Sequence, residues 1–482
     1  MNVFMKIRSL GLTLVGLSSL LLGQEPELPP GLGSVAEPSL PAGLEETGEP
    51  SLPEGLQEGE PALPSGLGDT PERPSALTTQ AQTSWADQVT WRGFAEMRVG
   101  AWLQDNPVDP DLPIAEARVQ VDANTTLRAV DLRATLDFLA DPLAPTQAVD
   151  LRRGEGWLDV RELSAHFQPL NGLDVQLGRQ VSTWGTGDFL FINDLFPKDW
   201  RAFFLGRDDV YLKAPADALR VAYYNPLANV DLVYTPRFTP DRYISGERLS
   251  YYADPLGRIA GEDAEVRAPL PGQGELAVRI HRLLGDAEVA AYGYVGAWKS
   301  PAGQNVFGEA TFPDLRVVGA SWRQPLGGGI AKAEFGYYDS SDDHEGHDPW
   351  VRNSEFRYLI GYEHELAKEL TGSLQWYVEH MVDYGAYRRS LPSGAAARDE
   401  DRHVLTVQLT KLALNQNLRL GLFAFYSPTD EDAYLRPSIR YQLDDHWQIS
   451  GGANIFLGRD EDSFFGQFVE NRNIYVAVRY GY

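Results

Sequence analysis

From Val89 to its C-terminus the chain follows a period of two, and no other feature limits its fold as strongly. In 370–378 one face reads Leu370, Gly372, Leu374, Trp376 and Val378, and the other Thr371, Ser373, Gln375 and Tyr377. Leu405, Val407 and Leu409 alternate in the same way with Thr406, Gln408 and Thr410, as do Val119 and Val121 with Arg118, Gln120 and Asp122. Alternation at 180° per residue describes a strand with one apolar and one polar face. Such strands suit a soluble sandwich with an apolar core, or a membrane barrel with apolar faces toward lipid and polar faces around a lumen.

The connections separate the two. Short breaks at 124–126, 171–172, 226–228, 285–286, 327–329, 368–369, 415–416 and 444–445 alternate strictly with polar segments, most of them longer. These lie at 105–110, 141–153, 184–215, 238–273, 299–312, 339–354, 383–402, 427–433 and 459–472. Tight turns at one rim and long loops at the other are a property of outer-membrane barrels, and a sandwich has no reason to sort its connections by parity. Eight turns and nine loops join eighteen strands and leave both termini on the turn side, which is periplasmic. Alternation slips near 158–167, 287–295 and 315–322, so sixteen strands is the alternative count. The expectation is an all-β protein, a transmembrane antiparallel up-and-down barrel over residues 85–482.

Composition agrees by exclusion. The absence of cysteine removes disulfide scaffolds, cysteine-ligated metals, thiol nucleophiles and lipoprotein acylation. Neither a cofactor nor a metal is expected. With 68 acidic against 42 basic residues, the chain lacks the clustered Lys and Arg that phosphate backbones require, so nucleic acid is not an expected partner. Beyond the N-terminus no run approaches the roughly 20 apolar residues of a spanning helix.

Residues 1–23 carry Lys6 and Arg8 followed by an apolar stretch from Leu10 to Leu22, the pattern of a secretory signal. Residues 24–84 hold eleven acidic residues, one Arg and eleven prolines, and carry −10 of the total −26. With +2 from the leader, −18 remains for 85–482. Within this arm P-x-L-P-x-G-L recurs from Pro26, Pro38, Pro50 and Pro61, ending at Leu67. Such proline density predicts disordered or extended chain, reaching roughly 190 Å at about 3.1 Å per residue. It is either an acidic periplasmic spacer or, through its repeated leucine pairs, a set of weak docking motifs for an inner-membrane transporter or periplasmic protein.

The final strand places Ile474, Val476, Val478, Tyr480 and Tyr482 on one face. An aromatic terminus with an aromatic residue at the third position from the end and apolar residues at the fifth, seventh and ninth resembles the assembly signature of bacterial porins. That resemblance implies insertion by the outer-membrane assembly machinery of a Gram-negative bacterium. The run G-R-Q-V-S-T-W-G-T-G-D from Gly178 resembles a motif of poorly characterised porin-like families, some thought to work beside transporters of lipids or hydrophobic molecules.

If apolar faces meet lipid, the inward positions can be read off. The last four strands contribute Arg419, Arg436, Arg440 and Arg479 and no acid. The first three add Arg92, Arg98, Arg118 and Arg133 among Glu96, Glu116, Asp122, Asp131 and Asp137. This basic wall either attracts anions or pairs with neighbouring acids to fill the lumen. By parity Arg179 falls on the lipid face, so either Gly178 is a bulge that turns it inward or it stands above the hydrocarbon. The 184–215 loop carries Trp184, Asp188, Phe189, Phe191, Asp194, Phe196, Lys198, Trp200, Phe203 and Phe204. Exposed in water it would form an apolar patch, so it is expected to fold into the barrel mouth as a constriction or plug, or to pack on the rim.

Acidic external runs at 342–348, 399–401, 430–432 and 460–462 are solvated faces or bridges to lipopolysaccharide through divalent cations. His344 and His347 lack zinc-helix spacing, and His380 with Ser390 suggests an outer-membrane phospholipase only by its spacing of ten. Catalysis is not expected. The leading expectation is an outer-membrane channel for small, hydrophobic or anionic solutes. The alternatives are a partner of an inner-membrane exporter, docked through the proline repeats, or a surface adhesin or structural anchor.

Overall fold

The computed structural model describes residues 89–395 and 397–482. The leader and the 24–84 repeat arm lie outside the described residues. Eighteen strands form one antiparallel sheet that closes on itself. They are β1 (Thr90–Trp102), β2 (Ala115–Leu127), β3 (Val130–Ala140), β4 (Leu158–Leu170), β5 (Leu173–Gln180), β6 (Ala216–Tyr223), β7 (Asn229–Thr235), β8 (Glu275–Leu284) and β9 (Ala287–Ala297). The second half comprises β10 (Asp314–Leu326), β11 (Gly329–Ser340), β12 (Glu355–Ala367), β13 (Leu370–Met381), β14 (Asp401–Ala413), β15 (Leu418–Ser427), β16 (Asp432–Gln442), β17 (Trp447–Gly458) and β18 (Asn473–Gly481). Each strand pairs with its sequence neighbours, and β1 closes the ring on β18 from Phe94 opposite Gly481 to Trp102 opposite Asn473. Closure removes the unpaired edges that an open sheet would expose.

The three segments with slipping alternation all form strands, which fixes the count at eighteen. One slip has a visible cause. On β4, Glu162 faces Thr135 and Val160 faces Leu136, so Arg161 is the extra residue of a bulge. The first turn is also displaced from 124–126: β2 runs on to Leu127, and Arg128, at φ 57°, turns the chain with Ala129. Three further turns fall where glycine allows left-handed backbone, at Gly172, Gly285 and Gly327, whereas the 368–369 turn places Glu369 there at φ 59°.

The outer surface is apolar. Met97, Val99, Leu163, Leu177, Ile280, Val318, Ile360, Leu374 and Val476 all point away from the lumen and are exposed. Trp91, Tyr223, Tyr441, Trp447 and Tyr480 stand near the turn rim. Many of the alternating inward residues are polar, charged or aromatic, and a minority, such as Val233, Val317, Leu359 and Val404, are aliphatic and buried. No helix among the described residues is long and apolar enough to cross a membrane, so any crossing is made by the strands.

Most long connections sit at the rim opposite the turns. The exception is 181–215, which includes the short helix α1 (Trp200–Phe204). Ile192, Phe203, Phe204, Leu205 and Leu212 in this segment share one buried cluster with the inward residues Leu359, Tyr377, Phe423, Phe425, Tyr434 and Phe456. Those six come from β12, β13 and β15–β17, so the core of this barrel lies inside its lumen and is built around a loop.

Candidate functional site: a loop across the lumen and the arginine wall that holds it

The loop starts from β5, whose arginine resolves the parity problem. The ladder runs through Gly178 without interruption, placing Arg179 opposite Leu163 and Asp217 on the outer parity. Gly178 is therefore not a bulge, although its φ of 122° favours glycine. Arg179 stays out of lipid because it lies next to the last residue of the strand, under the 141–157 connection. Its guanidinium donates to the carbonyls of Val160, at 2.5 Å, and Leu151, and to the Asp217 carboxylate at 3.3 Å.

The loop then meets the wall at β10–β13. Glu334, inward on β11, accepts from the backbone N–H groups of Thr186, Gly187 (2.8 Å) and Asn193 (3.3 Å) and from the Asn193 side-chain amide (2.9 Å). Lys332, two residues earlier on the same face, bonds Asp188 at 2.6 Å, and Ser373 and Gln375 of β13 also bind Asp188. Opposite one another on β10 and β11, Gly319 and Gly336 leave a slot in the wall. A methyl group there would meet Asn193 Oδ1 at 1.9 Å and Ile192 Cγ2 at 2.7 Å, so both glycines are needed for the loop to seat.

The middle of the loop is braced internally. Thr183 donates to Asp194 at 2.7 Å, and Asp194 pairs with buried Lys198 at 2.9 Å. Asp199 caps α1 by accepting from the Ala202 N–H at 2.8 Å, and it shares Arg242 with Asp159. The Trp200 indole donates to Asp241 at 3.1 Å in the 236–274 loop, and burial raises the Asp241 carboxyl above its ordinary value. Trp184 packs edge-on against Phe196 at 4.9 Å. Phe189, at φ 56°, meets Phe423 at 4.7 Å, and Phe191 lies under the Lys198 ammonium at 4.6 Å. Phe204 contacts Tyr434, Phe456 and Phe468 within 5.4 Å between centroids. Such ring pairs contribute about 0.5–1.5 kcal/mol each beyond burial.

The far end of the loop docks on the basic wall. Arg98 donates to the Gly206 carbonyl at 2.5 Å. Arg436 binds Asp209 at 2.5 Å and the Arg207 carbonyl at 2.8 Å, and it lies 4.5 Å over Phe203. Asp208 is shared by Arg440 at 2.8 Å and Arg479 at 2.6 Å, and Arg479 also holds Glu96. Tyr211 is sandwiched between Arg118 and Arg161 at 4.1 and 4.7 Å, and Arg118 pairs with Asp137 at 2.6 Å. Of the eight wall arginines named from the sequence, five therefore hold the loop. Arg92 is largely exposed, 3.9 Å from Asp122, while Arg133 and Arg419 make no ion pair or hydrogen bond among the described residues.

Sequence reasoning named the arginines but missed their partners Asp208 and Asp209 and the carboxylate pivot Glu334. Lys332 and Glu334 do carry a signal: they are successive inward charges on β11, whose other inward residues, Ile330, Gly336, Tyr338 and Ser340, are uncharged.

Elsewhere, His380 points outward, stacked on Phe356, and bonds Asp401 at 2.8 Å. Ser390, in the short helix α2 (Tyr384–Ser390), donates to the Tyr387 carbonyl rather than to His380. His344 bonds Asp339 and His347 contacts Glu345, and the described residues contain no group of three or more potential metal ligands. Ile474, Val476, Val478 and Tyr480 all face outward on β18.

No protein-family model and no curated protein matches this chain in sequence. Among solved structures it is similar to OccD3 (OpdP) of Pseudomonas aeruginosa, at 9% identity and a TM-score of 0.48, with 82% of this chain and 91% of that one covered. It is similar to OccAB3 of Acinetobacter baumannii, at 12% identity and a TM-score of 0.46, over 82% and 98% of the two chains. The outer membrane protein OmpT of Vibrio cholerae, folded in vitro, aligns at 13% identity and a TM-score of 0.39, over 82% and 97%.

Proposed function

We propose that the protein is a porin-like channel of the outer membrane, narrowed by its 181–215 loop, that passes small solutes and favours anions. The observation that carries this reading is a closed barrel, apolar outside, whose charged lumen is crossed by a loop fixed to both walls. The apolar belt requires lipid around it, and the inward charges require water or partners within. A structural plug would need only neutralising contacts, yet Arg92, Arg133 and Arg419 are left exposed in the lumen. Their positive field supports anion preference over cation preference.

Orientation and partners belong to the same proposal. With tight turns toward the periplasm, both ends of the barrel face that side, and the acidic loops face outward toward lipopolysaccharide. The outward row Ile474, Val476, Val478, Tyr480 and Tyr482 is what the assembly machinery would read. The test is reconstitution of the full chain in planar bilayers. Discrete conductance steps with a reversal potential favouring anions are expected. Absence of conductance, both from the full chain and from variants with the loop contacts removed, refutes it.

A further inference from the structure

On β15 and β16 the inward positions form five rows, of which three lie nearest the turn rim. Arg419 stands directly opposite Arg440, Gly421 opposite Ser438, and Phe423 opposite Arg436. The third row is the floor of the loop, since Phe423 packs on Phe189 and Arg436 holds Asp209. The second row carries almost no side chain. The first row, nearest the turn rim, sets two arginines directly opposite one another, and only Arg440 has a carboxylate, Asp208.

Like charges directly across a strand pair cost stability. Both arginines face the lumen, so lipid contact does not force this placement. Neutralisation is incomplete. Arg440 uses one nitrogen on Asp208, a carboxylate it shares with Arg479, and its side chain remains 40% exposed. Arg419 makes no ion pair or hydrogen bond among the described residues. Among the described residues Arg98, Arg419, Arg440 and Arg479 together pair only with Glu96 and Asp208.

We infer that the recess below the loop, between Arg419 and Arg440 and under Gly421 and Ser438, is a binding site for a small oxyanion, a carboxylate or phosphate group. Two adjacent guanidinium forks match two oxygens of either group, and the small second row leaves room for the atoms behind it. The site opens toward the turn rim, so an anion from that side reaches it without passing the loop. This inference rests on the channel reading and supplies its solute chemistry.

The test uses the reconstituted full chain carrying chloride current. Millimolar inorganic phosphate or succinate is expected to block the current, more strongly from the turn side, whereas glycerol at equal concentration is not. Arg419→Gln and Arg440→Gln are each expected to raise the half-blocking concentration at least tenfold. Arg419→Lys, which keeps the charge and loses the fork, falls between. Block by phosphate alone or succinate alone identifies which oxyanion the recess takes. Conductance with equal block in wild type and both Gln variants overturns the subsite while leaving the channel. Should neither the full chain nor the variants with the loop contacts removed conduct, the channel reading fails, and titration calorimetry of phosphate into the solubilised chain decides the subsite. Heat lost in Arg419→Gln supports it, and equal or absent heat in both proteins overturns it.

Discussion

Replacing Glu334 with alanine should free one end of the loop while leaving the barrel closed. The carboxylate accepts four hydrogen bonds, from three backbone N–H groups and one amide, and its surroundings are buried. Hydrogen bonds to a charged group contribute about 1.5–3 kcal/mol each, and water entering the vacated space recovers part of that. A loss of roughly 3–6 kcal/mol in local docking follows. Since each 1.4 kcal/mol is tenfold, even the lower figure raises the undocked population by about two orders of magnitude. The strand ladders of β11 are backbone bonds to β10 and β12 and do not involve this side chain. The variant should therefore fold and insert, and the change should appear as larger and noisier conductance steps and as new protease cleavage within 181–215. Glu334→Gln keeps one acceptor oxygen and should fall between. An Ala variant with wild-type conductance and unchanged protection would refute the view that this carboxylate holds the loop.

Gly319→Ala drives a methyl group into Asn193 Oδ1 and should reproduce the open-loop phenotype without touching any charge; unchanged conductance would count against the slot. Phe204→Ala empties the centre of the lumenal aromatic cluster and should cost about 3–5 kcal/mol, read as a lower temperature of unfolding in heat-modifiable gel mobility. Asp208→Asn removes the carboxylate shared by Arg440 and Arg479, so the reversal potential should move further toward anions, and a shift toward cations would contradict the charge balance. Burial raises the Asp241 carboxyl, so the folded loop binds a proton at pH values where the unfolded chain does not. Its contribution to stability accordingly grows as pH falls through the window just above 3.8, and protease resistance of the 236–274 loop relative to Asp241→Asn should rise over that window.

The barrel was legible because its physics is local. Parity of two assigns each residue to lipid or lumen, and the lengths of connections assign each rim, so strand number and facing follow from neighbours in sequence. The errors were also local. Asn124 to Thr126 have turn chemistry but stay in β2, because Arg128 takes the left-handed position that no glycine or asparagine there supplies. Arg179 was assigned the right face with two remedies open, and the bulge is the one that fails, since its shelter comes from the Leu151 carbonyl in another loop rather than from a bulge beside it.

The site was legible only by half, for a physical reason that these arginines show. Inward parity named Arg436, Arg440 and Arg479 but gave no partners, because those partners lie 227, 232 and 271 residues earlier in the loop. Strand register fixes cross-strand neighbours and says nothing about a segment that leaves the sheet and returns through the lumen. What the sequence does contain is an imbalance: four arginines against one acid, Asp432 at the loop end of β16, on β15–β18, and a loop with more aromatic side chains than water tolerates. Each is unfavourable alone, and docking one on the other relieves both, since Phe203 lies under Arg436 while Asp208 and Asp209 neutralise the wall. The match is incomplete at one place. Arg419 is left over when the loop has taken its partners, and a charge left unpaired inside a lumen is where a passing solute would be recognised.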